Sequence, residues 1–192
     1  MKILGVDNGL DGGLVLLTDG WPEWRIAMPT LELSGKRSKT TGKIGKRRIY
    51  YEDAIRQNLL DWSPQHVFIE VAQPMPDQGV TSMFTTGLGF GLMRGICVGL
   101  GLSYTLVHPR TWQAMLFRGL PKPVTKDCAK VVAGRLWPGL DWRATTRCKV
   151  PHSGVCDAAC IAYYGHRMMG GGPGRDPDFE VVGDAEERAV PF

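Results

Sequence analysis

Two short apolar runs open the chain, Ile3-Leu4-Gly5-Val6 and Gly13-Leu14-Val15-Leu16-Leu17, with the turn formers Asn8-Gly9-Leu10-Asp11-Gly12 between them. The pattern predicts buried strands over residues 2 to 7 and 13 to 18, and a third over Trp24 to Met28, joined as an antiparallel meander. Residues 34 to 48 are rich in Gly, Ser, Thr and Lys and carry no apolar period. They are predicted to be a mobile loop or flexible hairpin outside the core. Helical spacing returns from Tyr51 to Trp62 in Ile55, Leu59 and Trp62, and Ser63-Pro64 ends it. Val67-Phe68-Ile69-Glu70-Val71 is apolar almost throughout, as buried parallel or central strands are.

A helix is predicted from Thr81 despite its glycines, because Gly87, Gly91, Gly95 and Gly99 recur every four residues and share one face. That smooth stripe allows close backbone approach, either to the sheet inside the monomer or to a second subunit. Ser103 to Val107 reads as a short strand, and His108-Pro109 as a turn. Helices are predicted over Thr111 to Phe117, Thr125 to Leu136 and Ser153 to Met168. The order of elements is that of an α/β fold, with a mixed sheet flanked by helices.

Composition narrows the class. With 192 residues, the chain fits one domain over residues 1–169, followed by a Gly/Pro-rich acidic tail over 170–192 that is expected to be flexible. Hydrophobic residues at 43% and charged residues at 22% are globular values, which excludes a disordered, fibrous or coiled-coil chain. The most apolar stretch, Gly87 to Leu102, has 16 residues and is interrupted by Arg94. A membrane span needs about 20, so no membrane association is expected. The N-terminus runs directly into a strand, with no signal or transit peptide in view. Five cysteines, an odd number in a chain of this size, argue against a disulfide framework and for a reducing cytoplasm.

Charge is distributed unevenly. The tail holds two Arg against six acidic residues, leaving 21 cations and 13 acids, a net +8, on residues 1–169. Seven cations, Lys36, Arg37, Lys39, Lys43, Lys46, Arg47 and Arg48, fall in a segment with no acid between Glu32 and Glu52. Such a run suits phosphates and is an expected DNA-binding element; its plain alternative is a solvated loop.

Three carboxylates stand among apolar neighbours: Asp7 at the end of the first strand, Glu70 at the end of the central strand, and Asp157 inside the last predicted helix. Burying them together is costly unless a cation neutralises them, and their hard oxygens point to Mg²⁺ or Mn²⁺. Two such ions roughly 3.5–4 Å apart activate water and stabilise the leaving oxygen in phosphodiester hydrolysis. A basic segment with a carboxylate cluster thus predicts a nuclease. Taken singly, each acid also has a structural reading, as a turn cap, an arginine partner or a helix-terminus interaction. A competing site uses Cys148, His152, Cys156 and Cys160 as zinc ligands, although Pro151 would leave Cys148 off the helix face. Small buried thiols are the alternative role for Cys156 and Cys160.

The opening Ile3-Leu4-Gly5-Val6-Asp7-Asn8-Gly9-Leu10-Asp11-Gly12-Gly13 resembles the first-strand motif of RuvC-like Holliday junction resolvases, with Asn8 where proline is usual. Phe68-Ile69-Glu70 and Met75 to Phe84 resemble the family's glutamate strand and following helix start. Leu106-Val107-His108-Pro109-Arg110-Thr111-Trp112, Lys126-Asp127 through Leu136-Trp137-Pro138, and His152 to Ala158 with Ile161 to Gly165 resemble later motifs in the same order. The resemblance covers residues 1 to 168 and is closest to the compact phage-type and organellar form.

It implies a ribonuclease H-like fold with a five-stranded mixed sheet. It also implies a homodimer that nicks four-way DNA junctions symmetrically, in a bacterial or phage-infected cell, with two Mg²⁺ ions, or Mn²⁺ in their place, and no small-molecule cofactor. Asp7, Glu70 and Asp157 carry over as catalytic metal ligands, and His152 takes the fourth ligand position, where an acid is common. Ser153 stands where several relatives have aspartate. Lys126 is the candidate cation for the reacting phosphate, and Met75 or Phe84 replaces the family's aromatic wedge. Two further classes remain: a catalytically inactive junction-binding protein, suggested by Ser153, and an actin-like phosphotransferase, which needs two such lobes where this chain has length for one.

Overall fold

The computed structural model describes residues 1–37, 40, 42, 44–73, 79–120 and 127–172, without the side chains of Lys36 and Arg37. In chain order the elements are β1 (Lys2–Asp7), β2 (Gly13–Thr18), β3 (Trp21–Ala27), β4 (Thr30–Arg37), β5 (Ile44–Tyr50), α1 (Glu52–Trp62), β6 (His66–Glu70), α2 (Val80–Gly99), β7 (Tyr104–Val107), α3 (Pro109–Leu116), α4 (Cys128–Leu136) and α5 (Ser153–Met168). The predicted elements are all present. β3 begins three residues before Trp24 because Pro22 sits on an edge strand, where a missing N–H is tolerated.

The main sheet has five strands in the order β3-β2-β1-β6-β7. β1 pairs antiparallel with β2 and parallel with β6, and β7 extends the parallel half. Period-two alternation sends successive side chains to opposite faces, and both faces are covered. Leu4, Val6, Leu14, Leu16, Val67 and Ile69 pack with Ile55 and Leu59 of α1 and Met93 and Cys97 of α2. On the other face Ile3, Val15, Leu17 and Phe68 pack with α3, α4 and α5 through Trp112, Val132, Leu136 and Ile161. The molecule is thus a three-layer α/β/α arrangement with a mixed five-stranded sheet.

Close approach of α5 to β1 depends on one missing side chain. A Cβ on Gly5 would stand 2.1 Å from the Ala158 carbonyl oxygen and 2.4 Å from the Ala162 nitrogen. Cys156 and Cys160 lie fully buried on this helix, and burial pushes both thiols well up, Cys156 to about 12. They are core thiols; among the described residues no group of three or more His, Cys, Asp or Glu is arranged to hold a metal ion, zinc included.

One expectation is narrowed and one is corrected. Of the loop and the hairpin expected for the basic segment, its described residues form the hairpin, a ribbon in which β4 and β5 pair antiparallel as a separate two-stranded sheet from Thr30↔Tyr50 to Arg37↔Ile44. It escaped the periodicity argument because both its faces meet water, so no apolar alternation marks it. The glycine stripe of α2 does not pack inside the monomer: nothing lies within 4 Å of where a Cβ would stand on Gly87, Gly91, Gly95 or Gly99. Gly89 makes the close approach instead, 2.2 Å from the Tyr50 hydroxyl by the same measure. No helix among the described residues is long and apolar enough to cross a membrane. Residues 173–192, most of the expected tail, lie outside the described residues.

Candidate active site

β1 and β6 run parallel, and their last paired residues are Val6 and Ile69. One step further along each strand stand Asp7 and Glu70. Ile3 and Phe68 face α5, so by alternation Asp7 and Glu70 face it too. Asn8 ties the two strand ends together: its buried side-chain amide donates to the Glu70 backbone carbonyl at 2.5 Å. The Asp7 carboxylate accepts from the Gly9 N–H at 3.1 Å, which fixes the start of the β1–β2 turn.

Glycines bring the third acid in from the opposite layer. A Cβ on Gly154 would stand 2.1 Å from the Asp11 carbonyl oxygen, and one on Gly13 would stand 2.8 Å from the Val155 Cα. The first turn of α5 therefore abuts the β1–β2 turn, and Asp157, one turn on, opens into the same space as Asp7. That space is a cleft of about 620 Å³, lined by Asp7, Asp11, Arg48, Tyr50, Ser153 and Asp157, with α2 hydroxyls along one wall.

Burial, and after it the negative charge of Asp7, pushes the Glu70 carboxyl up to about 7. The indole N–H of buried Trp112, donating to Glu70 Oε1 at 2.9 Å, acts the other way and favours the ionised form. Tyr50 is pushed up to about 12 by burial and then by Asp7, so it stays a neutral phenol, donating to the Asn8 carbonyl at 2.9 Å. Two carboxylates that resist joint ionisation are a place where a cation gains most. In charge and donor chemistry Asp7, Glu70 and Asp157 fit a hard divalent ion, although no three of the described acids, histidines or cysteines close into a shell around one point.

His152 stands differently from its expected place. Its ring is the N-cap of α5, with Nδ1 accepting from the Val155 N–H at 3.3 Å. With that lone pair engaged, the neutral ring carries its proton on Nε2, which makes Nε2 a donor and not a ligand. Burial first, and then the charges of Arg48 and Lys130, lower its proton affinity, opposed by Asp11.

Of the expected DNA-binding cations, Lys46, Arg47 and Arg48 lie exposed on β5. Lys46 pairs with Glu32 at 2.6 Å, and Arg48 pairs with Asp11. Lys39, Lys43 and Lys126 lie outside the described residues, as does Met75, and the side chains of Lys36 and Arg37 are not described. Phe84 is 67% exposed, in the first turns of α2 beside the cleft residues Ser82 and Thr85. Sequence reasoning missed Asp11, Tyr50 and Trp112. Asp11 looked like a turn former; Tyr50 and Trp112 reach the site only through the ribbon and α3.

No protein-family model and no curated protein sequence matches the chain. Among solved structures it is similar to Thermus thermophilus RuvC in complex with a Holliday junction substrate, at 16% identity and a TM-score of 0.50, over 88% of this chain and 96% of that one. It is also similar to Thermus thermophilus RuvC alone, at 12% identity, a TM-score of 0.49, and 89% and 98% coverage. A further similar structure is the yeast mitochondrial Holliday junction resolvase Ydc2, at 10%, 0.42, and 84% and 75%. The likeness to the first of these shows the fold alone, a RuvC-like arrangement of a mixed five-stranded sheet and flanking helices.

Proposed function

We propose that this chain is a structure-specific DNA endonuclease that resolves four-way junctions by metal-dependent phosphodiester hydrolysis. One observation carries the reading: Asp7 and Glu70 end parallel neighbours and face α5, Asp157 opens from that helix into the cleft with Asp7, and Arg48 of the basic ribbon lines the same cleft. The Holliday junction bound in the similar Thermus complex supports four-way junctions as the substrate class.

Asp7, Glu70 and Asp157 would hold Mg²⁺, or Mn²⁺ in its place, and two ions bound there would activate a water and stabilise the leaving oxygen. Asp7 is the central ligand in this assignment, because it is coupled to Glu70 through the sheet and shares the cleft with Asp157. Trp112 orients Glu70 and helps keep it ionised. His152 completes the set through Nε2 only by taking its proton on Nδ1 and giving up the α5 cap, so it is the weakest of the four assigned ligands.

The ribbon cations grip phosphates, which gives affinity without base specificity. Any unstacking of bases at the junction centre would fall to Met75 or to the exposed Phe84. A homodimer, joined through the outward face of α2, would set two clefts on one junction and yield paired nicks.

The test is strand cleavage of an end-labelled four-way junction and its matched linear duplex, with Mg²⁺, Mn²⁺ or EDTA, by wild type and Asp7→Asn. Paired, metal-dependent nicks on the junction alone are expected, with Asp7→Asn losing cleavage by more than about 100-fold, beyond what outer-shell changes cost, yet retaining binding. Equal cutting of duplex would reduce the activity to a general nuclease. Binding without nicks would favour the inactive junction binder, for which the open ligand shell and Ser153 speak.

A further inference from the structure

Arg48 is set apart from the other cations of the ribbon. Alternation along β5 sends Lys46, Arg48 and Tyr50 to one face and Arg47 and Ile49 to the other. Tyr50 is buried, bonded to the Asn8 carbonyl in the wall of the cleft. It fixes the base of the ribbon two residues from Arg48, which therefore lines the cleft with Asp7 and Asp157, as neither Lys46 nor Arg47 does.

The Arg48 guanidinium is held there by the carboxylate of Asp11, and the side chains are 45% and 82% exposed. A pair this open to water is weak. A phosphate that offers two oxygens to the planar fork of an arginine competes with it readily. The holding point is itself rigid, because the Asp11 backbone abuts Gly154 in the first turn of α5. Asp11 thus parks a permanent cation at the mouth of the acid cleft, beside the helix that carries Asp157.

We propose that Arg48 is a catalytic residue: it exchanges Asp11 for the reacting phosphate and stabilises the charge that develops on the non-bridging oxygens. The assignment rests on the nuclease reading above and fills the role that the sequence resemblance gave to Lys126. The water oxygen bonds to phosphorus as the bond to the leaving oxygen breaks, the water gives up one proton to solvent and the leaving oxygen takes one from it, while Arg48 donates N–H hydrogen bonds and transfers no proton.

The test is single-turnover cleavage of a four-way junction by saturating protein in Mg²⁺, alongside junction affinity across a salt series, for wild type, Arg48→Ala, Arg48→Lys and Arg47→Ala. Arg47→Ala removes the same charge from the opposite face of the ribbon and controls for charge alone. Arg48→Ala is expected to lower the saturated rate about 100-fold, the effect of losing one preorganised donor, and at least 10-fold below Arg47→Ala. Arg48→Lys should recover part of the rate, while the two alanine variants lose similar affinity and salt slope. An Arg48→Ala rate equal to that of Arg47→Ala would overturn the assignment and leave Arg48 an arm-gripping cation. Absence of cleavage by wild type would overturn the nuclease reading and the assignment together, so the two failures are distinguishable.

Discussion

Asp7 and Glu70 end neighbouring parallel strands on the same face of the sheet, and the charge of Asp7 adds to burial in raising the proton affinity of Glu70. Without a cation, the fold carries this repulsion as a stability cost that depends on pH.

The sign follows from linkage. Glu70 has its folded value raised from 4.5 to about 7, so the folded state holds the proton more tightly than the unfolded chain does. Below pH 4.5 both states are protonated and there is no penalty. As pH rises through 7 the fold loses about 3 kcal/mol from this group. In EDTA, thermal unfolding of wild type should therefore weaken from pH 5 to pH 8 relative to Glu70→Gln, by about 2–4 °C per kcal/mol. Mg²⁺ should restore wild type at pH 8 and leave Glu70→Gln nearly unmoved. Parallel pH profiles for the two proteins in EDTA would sink the argument.

Trp112 offers a subtler handle on the same carboxylate. Trp112→Phe removes the N–H donated to Glu70 Oε1 while keeping an aromatic ring in the core beside Phe117. The Glu70 carboxyl should rise further, and cleavage at neutral pH should fall about 10–100-fold, the range for an outer-shell partner. A rate that recovers at higher pH distinguishes this effect from simple repacking, and a pH–rate profile of the variant measures it.

Gly5 tests the packing that joins the two layers of the site. Gly5→Ala places a methyl 2.1 Å from the Ala158 carbonyl oxygen, on rigid backbone. Overpacking of this kind costs about 1–3 kcal/mol, and displacing α5 also carries Asp157 away from Asp7. Denaturant unfolding should show the loss of stability, and junction cleavage should fall by more than stability alone explains at temperatures where the variant is folded.

The ribbon governs affinity. Replacing Lys46, Arg47 and Arg48 together by Ala should weaken junction binding and reduce the salt slope by about 2–3, as each lost phosphate contact removes about 0.9. Binding titrations from low to moderate salt measure both. An unchanged slope would mean that phosphates are gripped elsewhere.

The meander, the central strand and α5 were legible because each buries a face and so writes its period into the sequence: Leu14 and Leu16 point one way, Val15 and Leu17 the other. The three carboxylates stood out for the converse reason, as charges amid apolar neighbours, and two of them, Asp7 and Asp157, line one cleft. The ribbon was not legible in this way, because Leu31, Leu33 and Ile44 are exposed on it and nothing forces alternation. Trp112 and Tyr50 could not be assigned to the site from spacing, since each reaches it across more than 40 residues, Trp112 to Glu70 and Tyr50 to Asn8. His152 was read for its chemistry, whereas its position one residue before α5 makes it a cap.

The outward face of α2 carries the last prediction. Phe84, Leu88, Gly91, Gly95 and Val98 follow one another at spacings of four and three, and so form one stripe. Phe84, Leu88 and Val98 are 67%, 46% and 69% exposed, which is unusual for large apolar groups on one helix face. In an isolated monomer Gly91→Ala meets open space and should stabilise the helix by about 1 kcal/mol. If two copies pack helix on helix across the glycines, larger side chains there hold the backbones apart. Sedimentation of wild type should therefore show a dimer, and Gly91→Leu with Gly95→Leu a monomer. The same double variant should convert paired nicks on a junction into single nicks, since each cleft remains intact. A wild-type monomer whose cleavage is unaffected by the double variant would assign the exposed stripe to some other contact.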